Sequence, residues 1–152
     1  MRRTEKEIVD IAAMESIIRQ CPVCRVGMCR DNLPYIVPFS FGYKDHTVYV
    51  HCAREGMKLD ILGVNNCVCV EFETGVNLIT TETPCNWGMA YRSVIAFGQA
   101  FLVDDIGSKR KALDIIMRHY TDKQHFYSDQ ALDAIIVIRI EIDRVTGKQS
   151  GY

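Results

Sequence analysis

The residues best suited to chemistry follow a predicted strand in the first half of the chain. The β-like run Thr47–His51 leads into a short segment that holds Arg54, Gly56 and Lys58, and a helix-like run follows. Unpaired backbone N–H groups and the helix dipole favour negative charge at such a junction, and lysine supplies a counter-charge. We therefore predict an anion-binding seat there. The alternative is that Gly56 is only a turn residue and Lys58 only a solvated lysine.

The seven cysteines form the second group of reactive side chains. Their number is odd and no secretion signal precedes them, which favours reduced thiols over a disulfide framework. Cys67 and Cys69 lie two residues apart in a strand-like run and should share one face, which we expect to be buried. Cys21, Cys24 and Cys29 leave open a zinc or redox site, although structural cysteines are the favoured interpretation. The histidine spacing fits no metal motif, and we predict no metal.

Composition restricts the class of protein. The chain has 152 residues, 48% hydrophobic and 24% charged, which fits a single globular domain spanning 1–152. A net charge of −1 gives no field for nucleic acid or an anionic membrane. The basic N-terminus lacks a continuous apolar stretch and a cleavage site, so we expect neither a signal peptide nor a membrane span and predict a cytoplasmic protein.

The elements that must position these residues are mostly strands. Thr4 to Glu7 has the spacing of a capping box, which predicts a helix from Thr4. Gly98 suggests a bulge in a long strand, and residues 74–89 form the least regular segment. Six short strands with few helices predict a mostly β, antiparallel barrel with peripheral helices. The predicted strands are residues 23–29, 34–43, 47–52, 66–73, 91–103 and 135–142, and further helices are predicted from Met57 to Gly63 and from Ser108 to Tyr120.

In the last of these helices the pattern separates an apolar stripe from a charged face. The stripe is expected to face inward and the charged residues outward. The inward set is Leu113, Ile116, Met117 and Tyr120, and the outward set is Lys109, Arg110, Asp114 and Arg118.

Several of these segments carry a family resemblance. The pieces PYIVPFSFGY, TVYVHCAREGMKLDIL, NCVCVEFE and YRSVIAFGQAFLVDD resemble, in order and spacing, the pyridoxamine 5'-phosphate oxidase-like FMN-binding split-barrel proteins. The resemblance is narrower to the nitroimidazole-resistance (Nim-type) branch. It implies a six-stranded split barrel, a homodimer with FMN in clefts between subunits, and a flavin-dependent oxidoreductase.

The resemblance also implies which residues contact FMN. The strand containing Val37 would line the flavin ring, the strand end at Cys52 would lie beside the ribityl chain, and Lys58 would bind the phosphate. An arginine precedes that lysine in the oxidases, whereas this chain has Met57, so Arg54 or Arg92 would have to supply the missing charge. The candidate cofactor residues are Val37, Pro38, Phe39, Ser40, Phe41, His51, Cys52, Ala53, Lys58, Trp87, Tyr91, Arg92, Ser93 and Val94, and Lys148 could also approach.

His51 is the candidate catalytic residue, because an imidazole titrates near neutral pH and could donate a proton beside a flavin. The alternative is a strand-end histidine with only a structural hydrogen bond. The expected partners are a small-molecule electron acceptor, such as a 5-nitroimidazole, and a transient NAD(P)H donor, since the chain has no GxGxxG motif. Two further hypotheses stay open: a non-catalytic flavin- or haem-binding protein on the same fold, and a zinc module.

Overall fold

The computed structural model of the protein describes residues 3–152, and this range contains eight strands, four α-helices and two short 3-10 segments. The strands are β1 (Glu7–Ile8), β2 (Cys24–Arg30), β3 (Leu33–Phe39), β4 (Gly42–Lys44), β5 (Thr47–Ala53), β6 (Cys67–Ile79), β7 (Gly88–Val103) and β8 (Ile135–Ser150). The helices are α1 (Ile11–Gln20), α2 (Met57–Leu62), α3 (Ile106–Arg118) and α4 (Asp129–Asp133), and the 3-10 segments are Thr4–Lys6 and Pro84–Asn86.

All the strands belong to one antiparallel sheet with the order β3-β2-β6-β7-β8-β5-β4, and β1 pairs with β8. The two edge strands, β3 and β4, are consecutive in the chain and are separated only by Ser40 and Phe41. Because two residues span only about 10 Å at most, the sheet must curl until its edges meet at this corner. The fold is therefore a barrel whose wall is split between β3 and β4, as predicted.

The core fills the inside of this barrel. Val48 and Val50 of β5 and Ile140 of β8 are fully buried, in the alternation expected for strands with one face inward. Helix α1 covers one end of the barrel and contributes Ile18 to the same cluster. Its N-terminus is capped by Asp10, whose carboxylate accepts the backbone N–H groups of residues 12 and 13. No helix within residues 3–152 is both long and apolar enough to cross a bilayer.

The strand and helix boundaries correct several predictions. The helix predicted from Thr4 begins instead at Ile11, because Glu7 and Ile8 pair with β8. The run 34–43 is two strands, since the chain turns the barrel corner at Ser40. These two changes raise the strand number from the predicted six to eight in the described part of the chain.

The structure also tests the predictions made for Gly98, for residues 74–89, and for Cys67 and Cys69. The bulge at Gly98 is confirmed by a register shift between Phe97 and Gly98. The segment predicted to be irregular, residues 74–89, is largely a hairpin in which β6 and β7 extend toward each other. The prediction that Cys67 and Cys69 face inward is wrong, because Val68 and Val70 occupy the buried face and leave the cysteines outside.

Helix α3 begins and ends two residues before the predicted bounds, and its buried face differs from the predicted one. Of the four residues predicted to face inward, Ile116 is buried and Leu113 and Met117 are partly buried, whereas Tyr120 is exposed and follows the end of the helix. Lys109, expected to point to solvent, is fully buried together with Ala112 and Ile116. Its ammonium group is held by ionic and hydrogen-bonding partners, which lets a charged residue occupy an inward position.

Candidate functional site

The predicted anion seat lies where β5 passes into α2. Gly56 has φ +129°, in the left-handed region that favours glycine, and this conformation turns the chain into the helix. Lys58 is half-buried, and among the described residues it makes neither an ion pair nor a side-chain hydrogen bond. Because α2 has only six residues, its dipole is small. The attraction for an anion therefore rests on the lysine charge.

Arg54, in the same loop, is committed to other partners. Its guanidinium donates two hydrogen bonds to the Asp104 carboxylate, each 2.8 Å long, and a third to the backbone oxygen of Asp133 at 3.0 Å. This bidentate pairing commits the Arg54 guanidinium N–H groups to Asp104. Arg54 is thus poorly suited to replace the arginine that precedes the phosphate-binding lysine in the oxidases, a position that Met57 occupies in this chain.

His51 lies on the outer face of β5, opposite Val137 of β8. Its side chain is exposed in the single chain, yet partial burial of the ring lowers the pKa of His51 below its ordinary value near 6.5. A lowered pKa favours the neutral imidazole, which can orient a bound molecule through its N–H donor. The neighbouring Cys52 points inward, and burial raises the pKa of its thiol.

The outer face next to His51 carries a groove that sequence reasoning missed. Arg139 of β8 pairs with Tyr49 of β5 on one side and with Phe101 of β7 on the other. Tyr49 precedes His51 by two residues, so these three side chains share the outer face with His51. They line a cavity of about 340 Å³ beneath α3. The Arg139 guanidinium lies 5.3 Å from the centroid of the Phe101 ring. The only signal in the sequence was a charged residue at position 139 between isoleucines.

The candidate residues at the beginning of β7 lie on its two faces. Arg92 lines a cavity of about 430 Å³ against α1, and its guanidinium lies 4.0 Å from the centroid of the Tyr152 ring. Ser93 is on the opposite face and pairs with Lys148 of β8. The Lys148 ammonium lies 5.4 Å from the centroid of the Tyr91 ring. Val94 is fully buried in the core.

The β3 residues also alternate. Val37 and Phe39 point inward, whereas Pro38 and Ser40 are exposed. Phe41 is fully buried, with its ring 5.1 Å from that of Phe72, and its backbone N–H donates to the Tyr120 hydroxyl at 2.9 Å. Neither the Phe41 ring nor its N–H is open to a ligand in the single chain.

Trp87 lies on the protruding β6–β7 hairpin. Its ring is 50% exposed and its indole N–H donates to the backbone oxygen of Thr81 at 2.9 Å. Val76, Leu78 and Met89 of the same hairpin are also exposed. An arm with this many exposed apolar side chains is typical of a surface that another molecule covers.

One chain does not bring the candidate residues together. His51 of β5 pairs with Val137 of β8, and Val137 pairs on its other side with Val103 at the end of β7. Ser93 lies ten residues before Val103 on β7. Ten extended residues span roughly 33 Å, which exceeds the length of FMN. Lys58, Cys52 and Ala53 therefore form one group with His51, and the residues 91–94 form a second group at the other end of β7.

The cysteines show no sign of a metal centre. All seven are free, and within residues 3–152 no three potential ligands among His, Cys, Asp and Glu come close enough to hold an ion. Burial raises the pKa of Cys21 to about 11 and that of Cys24 to about 12. Both thiols are thus protonated at neutral pH, which suits a structural role.

Comparison with known proteins yields a family match and several structural matches. The family model described as pyridoxamine 5'-phosphate oxidase matches residues 10–149. No curated protein sequence is significantly similar to the chain. A candidate 5-nitroimidazole antibiotic resistance protein from Bacteroides thetaiotaomicron is 40% identical, with 94% of this chain and 86% of that chain covered and a TM-score of 0.85.

Two more distant structures share the fold. The flavocytochrome Anf3 from Azotobacter vinelandii is 19% identical, with 100% of this chain and 72% of that chain covered and a TM-score of 0.86. A FAD-binding protein from Mesorhizobium loti is 22% identical, with 94% and 96% covered and a TM-score of 0.69.

Proposed function

The chain belongs to the pyridoxamine 5'-phosphate oxidase family, and on that premise we propose that it is a cytoplasmic, homodimeric FMN-binding protein that reduces a small electron acceptor. The observation that carries the proposal is Lys58, a half-buried cation with no anionic partner among the described residues, at the turn after β5. A cation left unpaired in a partly desolvated position is suited to a phosphate.

The polar side chains near the end of β5 have the chemical character that binding of FMN requires. Lys58 would hold the phosphate. The exposed imidazole of His51 on the same strand end would contact the flavin or the acceptor. FMN supplies the redox chemistry when bound. The neutral His51 ring would orient the acceptor through an N–H donor, and the exposed hairpin with Trp87 would cover the ring and exclude water.

The separation of the two groups of candidate residues supports a dimer. A ligand of FMN's length that contacts both groups must receive them from different subunits. The exposed apolar hairpin is the element best placed to reach a partner. The acceptor is proposed to be a small nitroaromatic compound, by analogy with the 40%-identical Bacteroides protein described as a candidate 5-nitroimidazole resistance protein.

Purification without added cofactor tests the proposal, followed by FMN titration of wild type and Lys58→Ala. Loss of a charge-assisted phosphate contact should weaken FMN binding by roughly 1.5–3 kcal/mol. Lys123→Ala, at an exposed loop position, is the matched control and should leave the FMN affinity unchanged. A Lys58→Ala variant that retains FMN as tightly as wild type would show that the phosphate lies elsewhere.

A haem-binding role is the second candidate. Two structural neighbours, both 19% identical, are described as a flavocytochrome and as a FAD- and haem-binding protein, and exposed His51 is a chemically competent axial ligand. The absorption spectrum of the purified protein distinguishes the two roles, because haem gives a Soret band and oxidised flavin gives its own visible bands.

A further inference from the structure

A cluster of three charged residues holds the loop that leads into the helix carrying Lys58. Asp104, at the turn between β7 and α3, accepts two hydrogen bonds from Arg54 and one from the Lys109 ammonium at 2.7 Å. Lys109 also donates to the backbone oxygen of Leu132 at 3.0 Å, and Arg54 donates to that of Asp133. The cluster thus ties the β5–α2 loop to the start of α3 and the end of α4.

The burial of Lys109 indicates that this cluster is strongly held. A lysine with no solvent exposure is stable only with a close counter-charge and hydrogen-bond acceptors. Asp104 supplies the counter-charge, and the Leu132 carbonyl supplies a further acceptor. Two cations on one carboxylate also keep the pKa of Asp104 well below its usual range.

The loop that this cluster fixes is the one that carries the proposed phosphate ligand. Arg54 follows β5 directly, the left-handed Gly56 comes two residues later, and Lys58 lies in the first turn of α2. With a left-handed glycine in the loop, the Arg54 side chain is the attachment that ties this segment to the α3 and α4 elements. The burial of Ile61 and Leu62 holds the C-terminal half of α2, whereas the Lys58 side chain makes no ion pair or hydrogen bond within the described residues.

We propose that Asp104 and Lys109 are positioning residues that hold the Arg54–Lys58 segment in place for phosphate binding and so set the preference of the site for FMN over riboflavin. This inference rests on the proposed function, because it takes Lys58 as the phosphate ligand. FMN and riboflavin differ only in the phosphate, so the ratio of their dissociation constants isolates this part of the site.

The test uses the double variant Asp104→Asn/Lys109→Met, which removes one charge of each sign and leaves no unpaired buried ammonium. The ratio of the riboflavin to the FMN dissociation constant is expected to fall by about tenfold relative to wild type, with riboflavin affinity nearly unchanged. Asp129→Asn is the control, because it removes the exposed ion pair with Arg110 between α3 and α4 without touching Arg54. Its ratio should equal that of wild type.

Arg54→Lys provides a second arm if the double variant does not fold. This substitution keeps the charge but loses the two-pronged hydrogen bonding to Asp104, and the same fall in the ratio is expected. An unchanged ratio in the folded variants, or an equal loss of affinity for both flavins, would overturn the positioning role alone. A wild type that does not distinguish FMN from riboflavin would overturn both this role and the Lys58 seat.

Discussion

Mixed dimers of two defective chains should recover FMN sites if each site is shared between subunits. One chain carries Lys58→Ala, and the other carries Arg92→Ala and Ser93→Ala. In a single chain, Arg92 and Ser93 lie near the beginning of β7, whereas Lys58 lies in α2 and belongs to the His51 group. In a mixed dimer one site would then contain both defects and the other none. Random pairing gives half mixed dimers, so about one quarter of all sites should be intact.

The assay counts tight FMN sites after the two chains are refolded together. Each defect should weaken FMN binding roughly 10- to 100-fold, so a free FMN concentration between the intact and defective dissociation constants fills only intact sites. Each defective chain refolded alone is the control and should bind little. If the mixture binds no more FMN than the separate chains although mixed dimers form, the site lies within one chain and is not shared between subunits.

Two other perturbations test the site and the fold. His51→Ala should slow acceptor reduction more than it weakens FMN binding. Because the pKa of His51 is lowered and the proposal takes the neutral ring as the active form, the rate advantage of wild type should be constant well above that pKa and disappear as the pH falls through it. An advantage that instead grows in acid would make His51 a proton donor. Gly42→Ala should lower the free energy of unfolding by about 1–3 kcal/mol, since its methyl group would lie 2.6 Å from backbone atoms of Ile115 and Ile116 in α3. Gly88→Ala, where a methyl group meets nothing within 4 Å, is the control for denaturant unfolding, and equal stabilities of the two variants would contradict the close α3–β4 packing.

The pattern of neighbouring residues in the sequence predicted those strands, turns and bulges that depend on interactions within a short stretch of the chain. Alternation over residues 47–52 and the glycine that follows predicted the bounds of β5 and α2 to within one residue. Gly98 was a correct signal for the bulge, because a Cβ there would collide with the Glu141 carbonyl on β8. These features need only short-range information.

The errors arise from contacts between residues far apart in the chain. Glu7 and Ile8 leave the predicted helix because Lys148 and Gly147 offer them strand partners. Lys109 was assigned to solvent by its charge, because the Leu132 carbonyl that accepts from its ammonium group lies 23 residues away and cannot be seen in a helical pattern. The division of the candidate site between the ends of β7 likewise follows from the pairing of β5 and β7 with β8.

The central place of β8 has a consequence for how the protein is made. β8 pairs with β1, β5 and β7, yet it is the last of these strands in sequence, so during synthesis the other strands leave the ribosome before it. Until it joins them, β4–β5 and β3-β2-β6-β7 are separate fragments with unpaired strand edges. Such late, long-range closure is expected to make folding slow and to expose the nascent chain to aggregation. Truncation before Ile135 should therefore abolish folding altogether and leave no smaller stable barrel.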